Sequence, residues 1–188
     1  FDVQKLAPAL ETIQPESLIV LPGLLSALIH IIQQGWQPPS SLKFIAVGGS
    51  RVGHGLLEAA RAVSLPVYEG YGLSECSSVV SLNSTTDNQQ GSAGKPLPHV
   101  AVSIEDNEVI VSGNTFLGYL NEPGSWYQQQ VKTGDLGFID DSGFLHILGR
   151  RKNLLINSFG RNINPEWVES EILANPVIAQ CVVTGDAR

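Results

Sequence analysis

The sequence predicts an α/β fold made of three successive parts. Strand-like and helix-like runs alternate over the first third of the chain, which favours a parallel sheet with helical crossovers. Two hairpin turns, at 105–107 and 140–143, indicate an antiparallel β block in the middle. A capped helix near the end belongs to a further α+β unit.

In the first third, each apolar run ends at a turn residue. Pro22 and Gly23 interrupt the most apolar stretch, and Gly35 and Pro66 mark the ends of helical patterns. The predicted elements are a strand at 18–21, a helix at 24–34, a strand at 42–47, a helix at 55–64 and a strand that begins at 67–68.

The last part changes character again. Asn164 is a suitable N-cap, Pro165 suits the first helical position and Glu166 lies in the first turn, so a helix is predicted to run to about Leu173. The apolar run at 177–184 predicts a strand.

A domain boundary is expected near Asn153, because a basic cluster at 150–152 ends the antiparallel block there. Residues 1–152 would then form the second half of a large domain, and residues 153–188 the beginning of a small C-terminal one.

Composition excludes some classes of protein. The chain has 188 residues, 43% of them hydrophobic, and a net charge of −7, with few and scattered basic residues, so nucleic acid is not expected as a partner. Its two cysteines, Cys76 and Cys181, match no metal-binding spacing and indicate reduced thiols in a cytoplasmic protein. Methionine is absent and the first residue is Phe1, which indicates an incomplete reading frame.

The first candidate motif is Gly48-Gly49-Ser50, which follows a predicted strand. Adjacent glycines allow the backbone to approach a ligand closely, and ligands favour the carboxyl ends of strands in α/β sheets. Taken alone, the motif is better explained as a strand-to-helix turn.

The second motif, at 68–75, is more specific. Glycines on both sides of Tyr71 free the backbone to lie against a flat ligand, and the tyrosine ring offers a stacking face. The Ser74 hydroxyl is a donor for phosphate oxygens. Glu75 is a hard oxygen ligand of the kind that Mg²⁺ takes beside substrate phosphates.

Three weaker motifs follow. Asp135, read as following a turn at 132–135, can accept hydrogen bonds from ribose hydroxyls. Arg150, in the basic cluster, can bind phosphate or ribose oxygens. The glycine turn at 158–160 precedes the capped helix. The alternatives are an ordinary Gly-Asp turn, a solvated basic loop and a plain helix start.

The order of these five motifs resembles the acyl-adenylate-forming, or AMP-binding, superfamily. The stretches at 68–81, 91–98 and 133–169 look most like medium- and long-chain fatty acyl-CoA synthetases. The resemblance implies that ATP and a carboxylic acid form acyl-AMP and pyrophosphate, and that the thiol of CoA then attacks the acyl-AMP. ATP, Mg²⁺ and CoA are the implied cofactors and co-substrates, and a small carboxylate is the implied substrate.

The resemblance also implies roles for individual residues. Ser74, Glu75 and Arg150 would be catalytic, and Glu75 would bind the metal. Lys152 and Gly160 would contact CoA. The residues implied in ATP or AMP binding are Gly48, Gly49, Ser50, Glu69, Gly70, Tyr71, Gly72, Ser74, Asp135 and Arg150.

The chain departs from the family pattern in three places. Asn153 stands where the family hinge is usually Asp. The phosphate loop with its Lys would lie upstream of Phe1, and the late catalytic Lys beyond Arg188. A truncated piece that is inactive alone is therefore expected.

Two other functions stay open. The chain can belong to an adenylation unit that loads a carrier protein, or to a non-catalytic homologue that binds nucleotide. Peripheral membrane association and a homo-oligomer are open as well.

Overall fold

A five-stranded sheet forms the first half of the protein in the computed structural model, which describes residues 3–156, 159–175, 177–178 and 180–185. The sheet has the strand order β1-β2-β3-β4-β5. The first three strands are parallel, and the last two are short and antiparallel. The strands are β1 Ser17–Val20, β2 Phe44–Val47, β3 Val67–Tyr71, β4 Ser81–Leu82 and β5 Lys95–Pro96.

Three helices accompany this sheet: α1 Leu6–Ile13, α2 Pro22–Gln33 and α3 His54–Ala62. Pro22 begins α2, where its missing N–H has no intrahelical partner in any case. Leu25, Leu28 and Ile29 recur at helical spacing and are buried in the first core together with Ile45 of β2. The predicted strand and helix alternation is thereby confirmed, while α1 was not predicted.

The second half contains a four-stranded antiparallel sheet of β6 Ala101–Glu105, β7 Glu108–Ser112, β8 Gln130–Ile139 and β9 Leu145–Arg150. Its first hairpin turns at Asp106 and Asn107, which both have positive φ, as a two-residue hairpin loop requires. In the second hairpin, Asp140 Oδ1 accepts hydrogen bonds from the backbone N–H groups of Ser142 and Phe144. Both hairpin predictions are confirmed.

A bulge interrupts β8 where the sequence pattern placed Asp135 after a turn. That prediction is wrong, because Gly134, with φ +73°, kinks the strand without reversing it. Thr133 stabilises the bulge, since its hydroxyl donates to the Val109 carbonyl at 2.7 Å and accepts from the Asp135 N–H at 3.0 Å. Asp135 therefore projects from inside a strand.

The last part contains β10 Leu155–Ile156, β11 Asn162–Ile163 and α4 Pro165–Ile172. The Asn164 side chain caps α4 by accepting a hydrogen bond from the Trp167 N–H at 3.3 Å, as predicted. The boundary near Asn153 stays a prediction. Ser158, at the start of the predicted glycine turn, lies outside the described residues.

The strand predicted at 177–184 is wrong for its described residues, which form no strand. Val183 N–H donates to the Glu169 carboxylate at 2.8 Å, so its backbone bonds to a helix side chain and not to a neighbouring strand. Residue 179 lies outside the described part. Within that part, no helix is long and apolar enough to cross a membrane.

Candidate active site

A cleft of about 590 Å³ opens at the carboxyl ends of β2 and β3. Parallel neighbours end at the same edge of a sheet, so the glycine turn after β2 lies beside the end of β3. The β8–β9 hairpin closes a second side and α4 a third. The predicted site residues that line the cleft are Gly49, Ser50, Glu69, Gly70, Tyr71, Gly72, Asp135 and Arg150.

Gly48 does not line the cleft, but it allows the end of β2 to lie close to β3. A Cβ atom at this position would be 2.8 Å from the carbonyl oxygen of Gly70. Only a residue without a side chain fits there, so the glycine is needed for strand packing whether or not a ligand is bound. Gly49 follows with φ +78° and turns the chain into the cleft wall.

Three side chains form a continuous hydrogen-bonded row across the cleft. The Tyr71 hydroxyl donates to Asp135 Oδ2 at 2.6 Å, and Arg150 Nε lies 2.8 Å from Asp135 Oδ1. Burial raises the pKa of Asp135, against the opposing effects of the Tyr71 hydrogen bond and the Arg150 charge. Burial also raises the pKa of Tyr71, which keeps its hydroxyl protonated as a donor. The row fixes an acceptor-rich carboxylate beside a guanidinium.

Glu69 lies two residues before Tyr71 on β3 and lines the same cleft. Its Oε2 accepts a hydrogen bond from the Gly91 N–H at 2.8 Å, and burial raises the pKa of its carboxyl. The loop that carries Gly91 is anchored by Asn83, which is fully buried and donates to the carbonyls of Glu69 and Ser92. Asn83 was missed, because nothing distinguishes it within a run of polar residues.

Glu75 lies in a 3-10 turn, Ser74–Cys76, and faces a second cavity of about 260 Å³. The Tyr119 hydroxyl donates a hydrogen bond to Glu75 Oε1. This hydrogen bond lowers the pKa of Glu75, and the Arg150 charge lowers it further. Glu75 is therefore ionised at neutral pH. Ser74 is exposed and lines neither cavity.

The donor set suits Mg²⁺ held jointly with a phosphate ligand. Within the described residues, no cluster of three or more His, Cys, Asp or Glu side chains could hold a metal ion by itself. Mg²⁺ bound beside phosphates needs only one or two carboxylates, and the ionised Glu75 supplies one. Glu75 thus fits as a single protein ligand and not as part of a protein cage.

Lys152 and Gly160 lie away from both cavities. Lys152 is exposed in the turn Arg151–Asn153, and Gly160 is exposed with φ +72°. The structure does not bring these two predicted CoA contacts to the cleft.

Other residues lie at the cleft without having been predicted there. Arg51 donates to the Ile147 carbonyl at 3.4 Å, and burial lowers the pKa of its guanidinium. Glu166 and Ser170 line the cleft from α4. Their spacing of four residues places them on one helix face, a signal that sequence reasoning could have used.

The chain belongs to the AMP-binding enzyme family. Residues 1–120 match the family model described as an AMP-binding enzyme. This match confirms the resemblance drawn from the motifs.

Curated relatives are acid–CoA ligases. The chain is 40% identical to the long-chain-fatty-acid–CoA ligase FadD15 of Mycobacterium bovis, over 75% of this chain and 24% of that protein. It is 35% identical to the 2-succinylbenzoate–CoA ligase of Bacillus velezensis, over 94% of this chain and 39% of that protein. The chain thus spans about a quarter to two fifths of the length of these relatives.

Solved structures share the fold. The o-succinylbenzoate CoA synthetase MenE of Bacillus subtilis, in complex with the acyl-adenylate intermediate OSB-AMP, matches with a TM-score of 0.84 and 30% identity. The match covers 100% of this chain and 42% of that one. The same synthetase in complex with ATP and magnesium ion matches with a TM-score of 0.80. The predicted α/β class is confirmed.

Proposed function

We propose that the chain is the nucleotide-binding part of an ATP-dependent acid–CoA ligase. The observation that carries the proposal is the row of Tyr71, Asp135 and Arg150 across the cleft at the strand ends. It combines an aromatic face, a fixed carboxylate and a fixed cation. Family membership supports the same conclusion.

The reaction has two steps. A carboxylate oxygen of the acid attacks the α-phosphorus of ATP, which forms acyl-AMP and releases pyrophosphate. The sulfur of CoA then attacks the acyl carbon, and AMP leaves as the thioester forms. The thiol proton is lost in this second step.

The cleft residues bind and orient the nucleotide in this proposal. Adenine lies against the Tyr71 ring beside the turn at 48–50. Asp135 accepts hydrogen bonds from the ribose hydroxyls, because each carboxylate oxygen has further lone pairs beyond those used by Tyr71 and Arg150. Arg150 then lies near the α-phosphate, where its positive charge stabilises the negative charge that redistributes as the carboxylate attacks the phosphorus.

Glu75 and Ser74 act at the phosphate end. Mg²⁺, when bound, neutralises phosphate charge, and Glu75 would hold it beside Arg150. The Ser74 hydroxyl would donate to a phosphate oxygen. Lys152 and Gly160 are assigned to CoA in this proposal. Both lie away from the two cavities in the structure, so contact with CoA at the cleft requires a different position of the segment that carries them.

A fatty acid is the proposed substrate, supported by the 40% identity to the long-chain-fatty-acid–CoA ligase. An aromatic dicarboxylate is the second candidate, because the 2-succinylbenzoate–CoA ligase aligns with more of the chain, 94% against 75%.

ATP–pyrophosphate exchange by the intact protein, with fatty acids and 2-succinylbenzoate compared, tests both the activity and the substrate. Exchange that depends on a fatty acid supports the first candidate, and exchange that depends only on 2-succinylbenzoate supports the second. ATP binding without exchange for any acid would instead identify a non-catalytic homologue.

The metal role is tested by Glu75→Gln, which should lower the exchange rate strongly while the fold is retained. Glu122→Gln, which changes an exposed glutamate on the loop beside the second cavity, is the control. Unchanged exchange in Glu75→Gln at limiting Mg²⁺ would contradict the assignment.

A further inference from the structure

The segment 116–119 holds Glu75 through both its backbone and its side chain. The Phe116 N–H donates to the Glu75 carbonyl at 2.8 Å, and the Tyr119 hydroxyl donates to Glu75 Oε1. The two aromatic rings pack edge to face, with 4.8 Å between centroids. The main chain of Glu75 and its carboxylate are therefore fixed by one short segment that lies more than forty residues away in sequence.

Tyr119 is itself held in place, although 47% of it is exposed. Its N–H donates to Ser125 Oγ at 2.8 Å, and the Trp126 indole N–H donates to its carbonyl at 2.8 Å. The Tyr127 N–H donates to the Leu117 carbonyl at 3.0 Å and closes the same loop. This loop fixes the backbone of a tyrosine whose hydroxyl contacts a carboxylate.

Such an arrangement has a specific effect on a flexible acidic side chain. Glu75 lies in a one-turn 3-10 segment at the rim of a cavity, where a glutamate without a partner samples several rotamers. The Tyr119 hydrogen bond selects one of them and directs the carboxylate toward the cavity that Arg150 and Lys132 also line. Hydrogen-bond partners of metal ligands affect metal affinity in this way.

We propose that Tyr119 is a positioning residue that orients the Glu75 carboxylate for Mg²⁺ beside the triphosphate of ATP. The inference rests on the proposed function, specifically on Glu75 as the metal ligand. Tyr119 need not touch the metal, the nucleotide or the acid. Its contribution is a single hydroxyl group aimed at one carboxylate oxygen.

The test is direct binding of Mn²⁺, as a paramagnetic substitute for Mg²⁺, to the intact protein with ATP and without acid. Electron paramagnetic resonance reports the free ion. Tyr119→Phe keeps the ring that packs on Phe116 and removes only the hydroxyl. It should raise the Mn²⁺ dissociation constant about 10-fold or more.

Tyr127→Phe is the matched control, because it removes a hydroxyl from the same loop at a residue that is 72% exposed. It should leave Mn²⁺ binding unchanged. In pyrophosphate exchange, Tyr119→Phe should raise the Mg²⁺ concentration needed for half-maximal rate, and the rate at saturating Mg²⁺ should be retained. A general structural defect would instead lower that saturated rate.

A double-mutant cycle separates this inference from the proposed function. With Glu75→Gln already present, Tyr119→Phe should cause no further loss of Mn²⁺ affinity, and an additive loss would overturn the inference. If Glu75→Gln weakens Mn²⁺ binding and Tyr119→Phe does not, the positioning role is wrong while the metal role stands. If Glu75→Gln itself has no effect, the metal role of Glu75 fails first.

Discussion

Asp135 and Arg150 are direct partners in the ladder between β8 and β9, and their side chains form an ion pair 2.8 Å long. Bulges lie on both strands close to this pair, one around Gly134 and one at Leu148. These bulges interrupt the regular pairing of the strands beside the cleft. The ion pair is thus a product of strand register, and both residues line the wall of the nucleotide cleft proposed above.

Asp135→Ala should weaken ATP binding by about 1–3 kcal/mol, the cost of leaving a buried hydrogen-bonding group without its partner. The loss has two sources, because the ribose acceptor disappears and Arg150 loses the partner that orients it. Isothermal titration calorimetry gives the dissociation constant, with Asp141→Ala, in the exposed hairpin turn, as the control. An unchanged ATP dissociation constant would refute the ribose role.

Asp140→Asn should destabilise the protein in a pH-dependent manner. The hydrogen bond from His146 lowers the pKa of Asp140 to about 2, below its ordinary 3.8. A lowered acid pKa stabilises the folded state above the ordinary pKa, and this stabilisation is lost as the pH falls from about 4 to about 2. Urea unfolding at several pH values should show a difference from the unmodified protein at neutral pH that disappears near pH 2.

The control for that experiment is Asp141→Asn, which changes the exposed neighbouring carboxylate. Its effect on the free energy of unfolding should be small at every pH. A difference between Asp140→Asn and the unmodified protein that stayed constant down to pH 2 would show that charge at Asp140 does not contribute.

Asn164 has two contacts that separate variants can remove. Its Oδ1 caps α4, and its Nδ2 donates to the Leu148 carbonyl in the β9 bulge. Asn164→Ala loses both and should cost at least about 1 kcal/mol of unfolding free energy, the usual value of a cap. Asn164→Asp keeps the cap and loses the donor. Its free energy of unfolding, measured by chemical denaturation, should therefore lie between those of Asn164→Ala and the unmodified protein. Equal free energies of unfolding for Asn164→Ala and Asn164→Asp would contradict a stabilising cap.

Asn153→Pro tests a hinge at Asn153, about which the family resemblance implies that the small domain rotates between acyl-AMP formation and thioester formation. Proline fixes φ near −65° and restricts the residue before it, so rotation at this point is blocked. In the intact protein, thioester formation should slow far more than pyrophosphate exchange. Asn153→Ala is the matched control, because it removes only the hydrogen bond to Glu166 Oε1 at 2.6 Å. Equal losses in both half-reactions with unchanged stability would exclude a hinge at Asn153.

The 188-residue chain alone should bind ATP weakly and form no acyl-CoA. The family resemblance implies a phosphate loop and a late lysine that this sequence does not contain, and such groups supply much of the electrostatic stabilisation. A thioester assay with purified chain, ATP, Mg²⁺, CoA and fatty acid checks this. Detectable acyl-CoA above a Glu75→Gln control would contradict it.

Local signals in the sequence were sufficient for the features that local chemistry determines. The turn at Asp106 and Asn107 and the cap at Asn164 depend on a few adjacent residues, and both occur as predicted. Such features can be predicted from the sequence because no distant partner is needed to form them.

Features that require a distant partner were missed or mispredicted. The contact between Tyr119 and Glu75 and the placement of α4 over the cleft depend on how separate elements pack. The apolar run at 177–184 has strand composition, but a strand also needs a neighbour to accept its backbone hydrogen bonds. The bulge at Gly134 is a similar case. The pair Gly134-Asp135 has the sequence pattern of a turn, and only the contact of Thr133 with the distant Val109 carbonyl makes it a bulge within a strand.

Arg150 belongs to the lining of both cavities, the cleft of about 590 Å³ and the smaller one of about 260 Å³. A single elongated inhibitor that filled both would pass this guanidinium. Joining a nucleoside mimic for the cleft to an anionic group that reaches Lys132 makes the second binding event intramolecular, so two weak fragments gain affinity from a linker of the right length. The arginine between the cavities is the point at which such a linker should carry its negative charge.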